Sequence, residues 1–393
     1  MKVRQVKIGD VCMGTSQRDP RNHPARTFRY VDISTIDRGT KQIVDPPTIL
    51  GTDAPSRARK QIQVNDVLVS TVRPNLNAVA IVPEWLDAEI ASTGFCVLRA
   101  NPDAMNARFL YYRVRTPEFV RFLCDRTTGA SYPAVTDGIV KHAPVPLPSL
   151  PEQVRIVEIL DAAEKLRQLR EQAYRRTACL IPALFHEMFG DPATNPKGWP
   201  IVPVREVMTT CEYGTSTKGN DEGRGIPVLR MGNVTVGGYL DVSDLKHVEL
   251  QEAEKGKYLL QAGDVLFNRT NSRELVGKTG MWDGRFPAVA ASYFIRLRFD
   301  DKKEHPQHFT TFMNLPNMKR ELAAMARGAV GQANINGKEL QAIRFPLPPI
   351  KLQREFAARV VGVQAMEANQ VSSRRRLDDL FQSLLHRAFR GEL

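Results

Sequence analysis

Between Glu152 and Phe189 apolar residues return every three or four positions, at Ile156, Ile159, Ala163, Leu166, Leu169, Ala173, Leu180, Leu184 and Met188. Charges fill the gaps, as in EKLRQLREQAYRR. The same rhythm runs from Leu352 to Phe389 through Phe356, Val360, Val363, Met366, Leu377, Leu380, Leu384 and Ala388. A narrow apolar seam on an otherwise charged helix is the pattern of helices packed side by side. The chain therefore predicts two long helices, each about 55 Å at 1.5 Å per residue, packed side by side as a coiled-coil pair. PLPSLPEQ and PLPPIKLQ fix where they start, since proline is tolerated before or within a first turn only. Pro182 breaks that rule and predicts a kink or short interruption near position 178.

Outside these stretches the period changes. DVLVSTV (66–72), VAIV (79–82) and FCVLRA (95–100) are short β-branched or aromatic runs bounded by Gly, Pro and Asn, and so are DVLFNRT (264–270) and YFIRLRF (293–299). Such runs read as strands, with ARFLYYRVRT (107–116) and PQHFTTFMNL (306–315) as short helices between them.

The order of elements occurs twice. LIPALFHEMFGD at 180–191 corresponds to LFQSLLHRAFRGEL at 380–393, and VPLPSLPEQVRIVEIL at 145–160 to FPLPPIKLQREFAARV at 345–360, both at an offset of 200. NDVLVSTVRPN (65–75) matches GDVLFNRTNSR (263–273) and YVDISTI (30–36) matches VLRMGNV (228–234), at an offset of 198. RFLYYRVRTPEFV (108–120) and HFTTFMNLPNMKR (308–320) also correspond, as do Gly129 and Gly328. A period this long marks a duplicated domain, because solenoid repeats run about 20–50 residues. The expected architecture is α+β and pseudo-twofold. Two similar strand-rich domains, 1–148 and 192–348, are separated by two long helices, 149–191 and 349–393.

Composition adds a partner class. A chain of 393 residues with 42% hydrophobic and 25% charged positions can fill two cores, and its formal net charge of +12 favours an anionic partner such as nucleic acid. Five scattered cysteines without CxxC spacing argue against a disulfide framework or thiolate zinc site and fit a reducing cytoplasm. MKVRQVKIGDV has no long apolar run, and no stretch reaches the roughly 18 apolar residues of a membrane span, so neither a signal peptide nor a membrane partner is expected.

Catalytic patterns are missing from the sequence. GTSTKGNDEGRG (214–225) has glycines without dinucleotide-loop spacing, no GxxxxGK[ST] occurs, and DPPT (45–48) lacks the aromatic that closes an amino-methyltransferase tetrapeptide. DDKKE (300–304) reads as a solvated turn rather than a nuclease carboxylate set, and His305 with His308 stand apart from other ligands. His186 and His386 sit near helix ends, where a cation is favoured without catalysis. No cofactor and no metal are expected.

What remains is a set of basic, Gly- and Asn-bearing loops in equivalent places: STVRPNLN (70–77) and TTGASYPAV (127–135), then NRTNSRELVGKTG (268–280) and RGAVGQANIN (327–336). Arg, Asn and Gln carry the forked donors and acceptors that match base edges in the major groove, although Asn and Gly also serve plain turns. The candidate DNA contacts are Arg73, Asn75, Asn77, Ser131 and Tyr132 in the first half. In the second half they are Lys218, Arg269, Asn271, Arg273, Lys278, Gln332 and Asn334.

The ordered set of NDVLVSTV and GDVLFNRT, PLPSLPEQVRIVEIL and PLPPIKLQREF, and LFHEMFGD and LLHRAFRGEL resembles the specificity (S) subunits of type I restriction-modification enzymes across the whole chain. That resemblance implies two target-recognition domains alternating with two long helices that pack antiparallel as a coiled-coil spacer. It implies a non-catalytic subunit that binds double-stranded DNA as a bipartite target, with one half-site per domain. Two methyltransferase (M) subunits would bring S-adenosylmethionine, and restriction/translocase (R) subunits ATP hydrolysis. The chain departs from the pattern at Pro182 and at Gln353-Arg354-Glu355, where the first half has Gln153-Val154-Arg155. A fused restriction-modification enzyme would need methyltransferase motifs absent here. A non-catalytic coiled-coil adaptor or RNA-binding protein is the other reading.

Overall fold

A computed structural model describes residues 4–129, 133–327 and 332–393. The chain forms two compact units, Met1–Glu171 with Ser372–Leu393, and Gln172–Val371.

Unit 1 is built on an antiparallel sheet in the order Cys12–Met13, Phe95–Ala100, Val67–Ser70, Val79–Ile81. A second sheet, in the order Thr48–Leu50, Thr27–Val31, Ile90–Ser92, Ala58–Gln61, has one parallel pair, Thr27–Val31 with Ile90–Ser92. The run Val67–Leu68–Val69 is apolar throughout because the sheet is covered on both faces. Val67 and Val69 join a core with Phe109, Leu110 and Tyr112, while Leu68 joins another with Ile36, Ile43 and Leu86. Helices α1 (Ala107–Arg113), α2 (Pro117–Cys124) and α3 (Asp137–His142) follow, and then α4 (Leu150–Thr177).

Unit 2 repeats this plan after α5 (Leu180–Phe189). Its antiparallel sheet has the order Met208–Tyr213, Phe294–Phe299, Val265–Asn268, Thr279–Met281. A smaller sheet pairs Ile226–Leu229 in parallel with Val289–Ala290. Val265 and Phe267 face one core and Leu266 the other. Helices α6 (Glu252–Tyr258), α7 (Pro306–Asn314), α8 (Pro316–Met325) and α9 (Gly337–Ala342) precede α10, a single helix of 41 residues from Ile350 to Arg390.

The residues that the two halves share hold this frame. In NDVL and GDVL the first residue is left-handed, Asn65 at φ 68° and Gly263 at φ 91°, a conformation that asparagine and glycine accept most readily. The next residue is a buried aspartate. Asp66 accepts the amide of Gln63 at 2.8 Å and both forks of Arg99 at 2.8 Å, and Asp264 accepts Gln261 at 2.9 Å and Arg298 at 2.6 and 3.0 Å. Gln153 and Gln353 are fully buried. Gln153 Nε2 donates to the carbonyls of Ala104 and Pro148, and its Oε1 accepts the amide of Asn106; Gln353 serves Lys303, Pro348 and His305 in the same way. A buried side chain that satisfies three backbone groups is costly to remove, at about 1–3 kcal/mol per orphaned group.

Three expectations are corrected. The tract around α1 and α7 corresponds at an offset of 199 rather than 200, because the caps pair Asn106 with His305 and the first helical prolines pair Pro117 with Pro316. DDKKE is a turn, but Glu304 is not solvated: it is fully buried, with Oε1 2.8 Å from Nδ1 of the buried His308, which stacks on Phe185. Burial raises the pKa of Glu304 and the neighbouring His308 opposes that rise.

The third correction concerns the seam. Leu166 and Leu169 are each 51% exposed, and Leu180, Met366 and Leu380 are exposed as well. The buried apolar residues of the helices lie toward their ends, where Ile156, Leu160 and Ala163 share a core with Phe381 and Leu385 in unit 1, and Phe185 and Phe189 pack on Phe356 in unit 2. Between the ends the pairing is polar. In unit 1 Arg167 binds Asp378 at 2.7 Å and Glu171 binds Arg374 at 3.0 Å, so numbers rise on α4 as they fall on α10, and the helices are antiparallel. In unit 2 Gln370 donates to Thr177 at 2.8 Å. The interruption expected from Pro182 falls at Ala178 and Cys179, between α4 and α5. Pro182, third residue of α5, has no amide to bond the Ala178 carbonyl, and its ring excludes a continuous helix there.

Candidate nucleic-acid interface

In each unit two loops distant in sequence are joined by backbone hydrogen bonds. In unit 1 Val72 bridges Ala134, the Arg73 amide donates to the Pro133 carbonyl at 2.8 Å, and the Val135 amide to Thr71 at 2.9 Å. The second loop closes on itself through Thr128 and Ala134. In unit 2 Thr270–Asn271 pairs with Ala333–Asn334, the Ile335 amide donates to Arg269 at 2.9 Å, and Arg327 bridges Asn334. The described residues of loops 70–77 and 127–135 thus meet in one place, and those of loops 268–280 and 327–336 in its counterpart.

The first surface presents Arg73 and Asn75, both exposed. Arg73 is left-handed, at φ 48° and ψ 61°, and Pro74 then starts a 3-10 turn that ends at the left-handed Asn77. Asn77 faces inward: its Nδ2 donates to the Val114 carbonyl at 2.9 Å, and its own carbonyl receives Lys41 Nζ at 2.6 Å. Ser131, Tyr132 and Gly328 lie outside the described residues.

The second surface is more organised. The Arg269 guanidinium lies 4.9 Å from the centre of the Tyr213 ring and donates to Asn334 Oδ1 at 3.2 Å, and Asn334 Nδ2 donates to Thr270 at 2.8 Å. Asn271 turns its Oδ1 to the Ser272 amide. Lys218, Arg273 and Gln332 are exposed. Lys278 is inside instead: it is 8% exposed, its ammonium donates to the Met231 carbonyl at 2.9 Å, and burial lowers its pKa. An ammonium held this way braces the loop. Sequence reasoning missed Tyr213, whose hydroxyl also accepts the Gly337 amide at 3.1 Å and so ties Arg269 to the start of α9. The only signal was an aromatic residue directly before the glycine-bearing 214–225 loop.

The family described as the type I restriction modification DNA specificity domain matches residues 2–175 and 196–364. The chain belongs to that family. It is 26% identical over 330 residues to the type I restriction enzyme EcoKI specificity subunit of Escherichia coli (strain K12), covering 79% of this chain and 70% of that protein. A solved structure described by complex assembly and conformational transition of the type I R-M system is 32% identical, with a TM-score of 0.67, covering 100% of this chain and 98% of the other. The type I restriction-modification S subunit from M. genitalium, 12% identical with a TM-score of 0.57 over 98% of this chain and 96% of that one, shares the fold. As a type I specificity subunit the chain is the sequence-specific DNA-binding, non-catalytic component, and the doubled specificity domain corresponds to a bipartite target. Its family-bearing motifs, NDVL/GDVL and PLPxxxxQ, are the frame residues described above, whereas the loops that differ between the halves form the two candidate surfaces. Among the described residues no helix is long and apolar enough to cross a membrane.

Proposed function

We propose that residues 1–148 and 192–348 act as two target-recognition domains, each reading one half-site with its joined loops, and that 149–191 and 349–393 are the spacer helices between them. Arg73, Asn75, Ser131 and Tyr132 read one half-site. Arg269, Asn271, Gln332 and Asn334 read the other, with Lys218 and Arg273 at the rim and Asn77 and Lys278 bracing their loops. The observation that carries this reading is the pairing itself. The same two loops, far apart in sequence, meet in both units and present arginine and amide side chains, the groups that distinguish base edges. Two M subunits supply methyl transfer, R subunits supply ATP-driven translocation and cleavage, and the assembly acts on double-stranded DNA in the cytoplasm.

The test uses the chain co-purified with M subunits on a panel of duplexes varied one base pair at a time. Arg73→Ala is expected to relax one position of one half-site, and Arg269→Ala one position of the other, each at about 1–3 kcal/mol. Equal weakening on all sequences would move both arginines to the phosphate backbone.

A further inference from the structure

Behind the reading loop of unit 1 lies a cavity of about 410 Å³. Its walls are the hairpin tip with Gly39 and Lys41, the turn residues Asn75 and Asn77, α2 with Pro117 and Arg121, and the α4–α10 pair with Arg167 and Phe381. Arg115 and Arg167 flank the Phe381 ring, at 5.1 and 4.7 Å from its centre, and both reach Glu164, at 2.8 and 3.5 Å. The Arg115 side chain is only 5% exposed, and while Nη2 binds Glu164, Nη1 is buried without a hydrogen-bond partner. Lys41 is desolvated, which together with Arg115 and Arg38 draws its pKa down to about 8 against the pull of Asp37 and Glu164. Lys41, Arg115, Arg121 and Arg167 line one cavity; Glu164 is bonded to Arg115 and Arg167, Asp378 to Arg167, and Asp37 acts on Lys41, so four cations face three carboxylates.

Unit 2 supplies an internal comparison. The position 200 residues beyond Arg167 is Glu367, which accepts a hydrogen bond from the hairpin residue Tyr239. The position matching Arg115 by the helix caps is Asn314, whose amide is bonded to Thr279 and Thr310. By the same caps Arg121 keeps a counterpart in Arg320, whereas the cations at 115 and 167 belong to unit 1.

We propose that this cavity is an oxyanion site of the phosphate class, filled by one backbone phosphate of duplex DNA beside the half-site read by unit 1. Guanidinium forks match phosphate oxygens, and the spare donor of Arg115, with the cations in excess over carboxylates, leaves room for an anionic acceptor. Asn75 is both a wall of the cavity and part of the reading loop, so the strand read by that loop passes the cavity mouth. Such a contact positions the duplex without reading sequence. The inference rests on the proposed reading role of unit 1.

The experiment replaces single phosphates of a target duplex by neutral methylphosphonates and measures affinity for the full chain with its M subunits. The wild type should lose affinity severalfold at one phosphate flanking the unit 1 half-site. Lys41→Gln/Arg121→Gln should bind more weakly on all sequences alike, show no further loss at that same phosphate, and flatten the dependence of log K on log salt by about 0.9 per contact removed. Arg121→Gln alone, at an exposed position, carries the test if the double variant does not fold. Independent, additive losses at every phosphate would overturn the proposal. Phosphorus resonance broadening of inorganic phosphate that is abolished in the variant, without coupling to any duplex phosphate, would assign the site to the free ion and also overturn it. A wild-type complex that binds no duplex sequence-specifically would remove the reading role itself, a failure distinguishable from the others.

Discussion

Two lysines hold the proposed reading loops by the same device. Lys41 donates to the carbonyl of Asn77, at φ 45°, and Lys319 to that of Gly277, at φ 78°, each at 2.6 Å. Lys41 comes from a hairpin and Lys319 from α8, so the arrangement recurs without a shared residue, and no alignment of the halves reveals it. Lys278 was invisible as a brace for the same reason: its partner Met231 lies 47 positions away. Desolvation first, and Lys278 second, lower the pKa of Lys319 from 10.5 to about 7. The folded state therefore binds fewer protons here than the unfolded state between pH 7 and 10.5, and this group makes stability rise with pH across that window and fall as pH drops through it. In denaturant unfolding at pH 7, 8 and 9, Lys319→Met should gain stability over wild type most at pH 7, with the advantage shrinking toward pH 9. Parallel profiles for the two proteins would show that the ammonium is not desolvated.

At the scale of elements, the strands at 67–70, 95–100, 265–268 and 294–299 and the helix starts at Leu150 and Ile350 were legible, because alternation, β-branching and the Pro-rich entries act locally. The seam was legible only at its ends. Periodicity counts apolar residues but does not tell which face another helix covers, and along mid-helix the covering side chains are Arg167, Glu171, Arg374 and Asp378. Leu166 and Leu169 are left to solvent, which makes them candidate contacts for M subunits rather than for α10. Leu166→Asp/Leu169→Asp should change unfolding free energy by no more than about 0.5 kcal/mol per site, as exposed positions do. The same variant should lower the yield of complex in co-purification with M subunits. Undiminished assembly would mean that these leucines are uncovered in the complex too.

For the whole molecule, duplication separates two kinds of residue. Asp66 and Asp264, with Gln153 and Gln353, keep their identity because each satisfies backbone groups or a half-buried arginine, whereas the loops proposed to read the half-sites differ between the halves. Both long helices pass from one unit into the other, so the chain linking the units is countable in helical residues. If that length sets the unread spacer of the target, four residues added after Leu169 add ~6 Å of helix and nearly preserve its face, since 3.6 residues make a turn. The antiparallel pairing of Arg167 with Asp378 and Glu171 with Arg374 requires a matched insertion in α10, between Arg374 and Asp378. Methylome sequencing of cells carrying both insertions should find the two half-sequences unchanged and the spacer longer by between one and two base pairs, at about 3.4 Å per step. Two-residue insertions would instead rotate the face by about 200°, separate these ion pairs and abolish modification. Full methylation at the original spacing in the four-residue variant would mean that the reading loops, not the helices, set the distance.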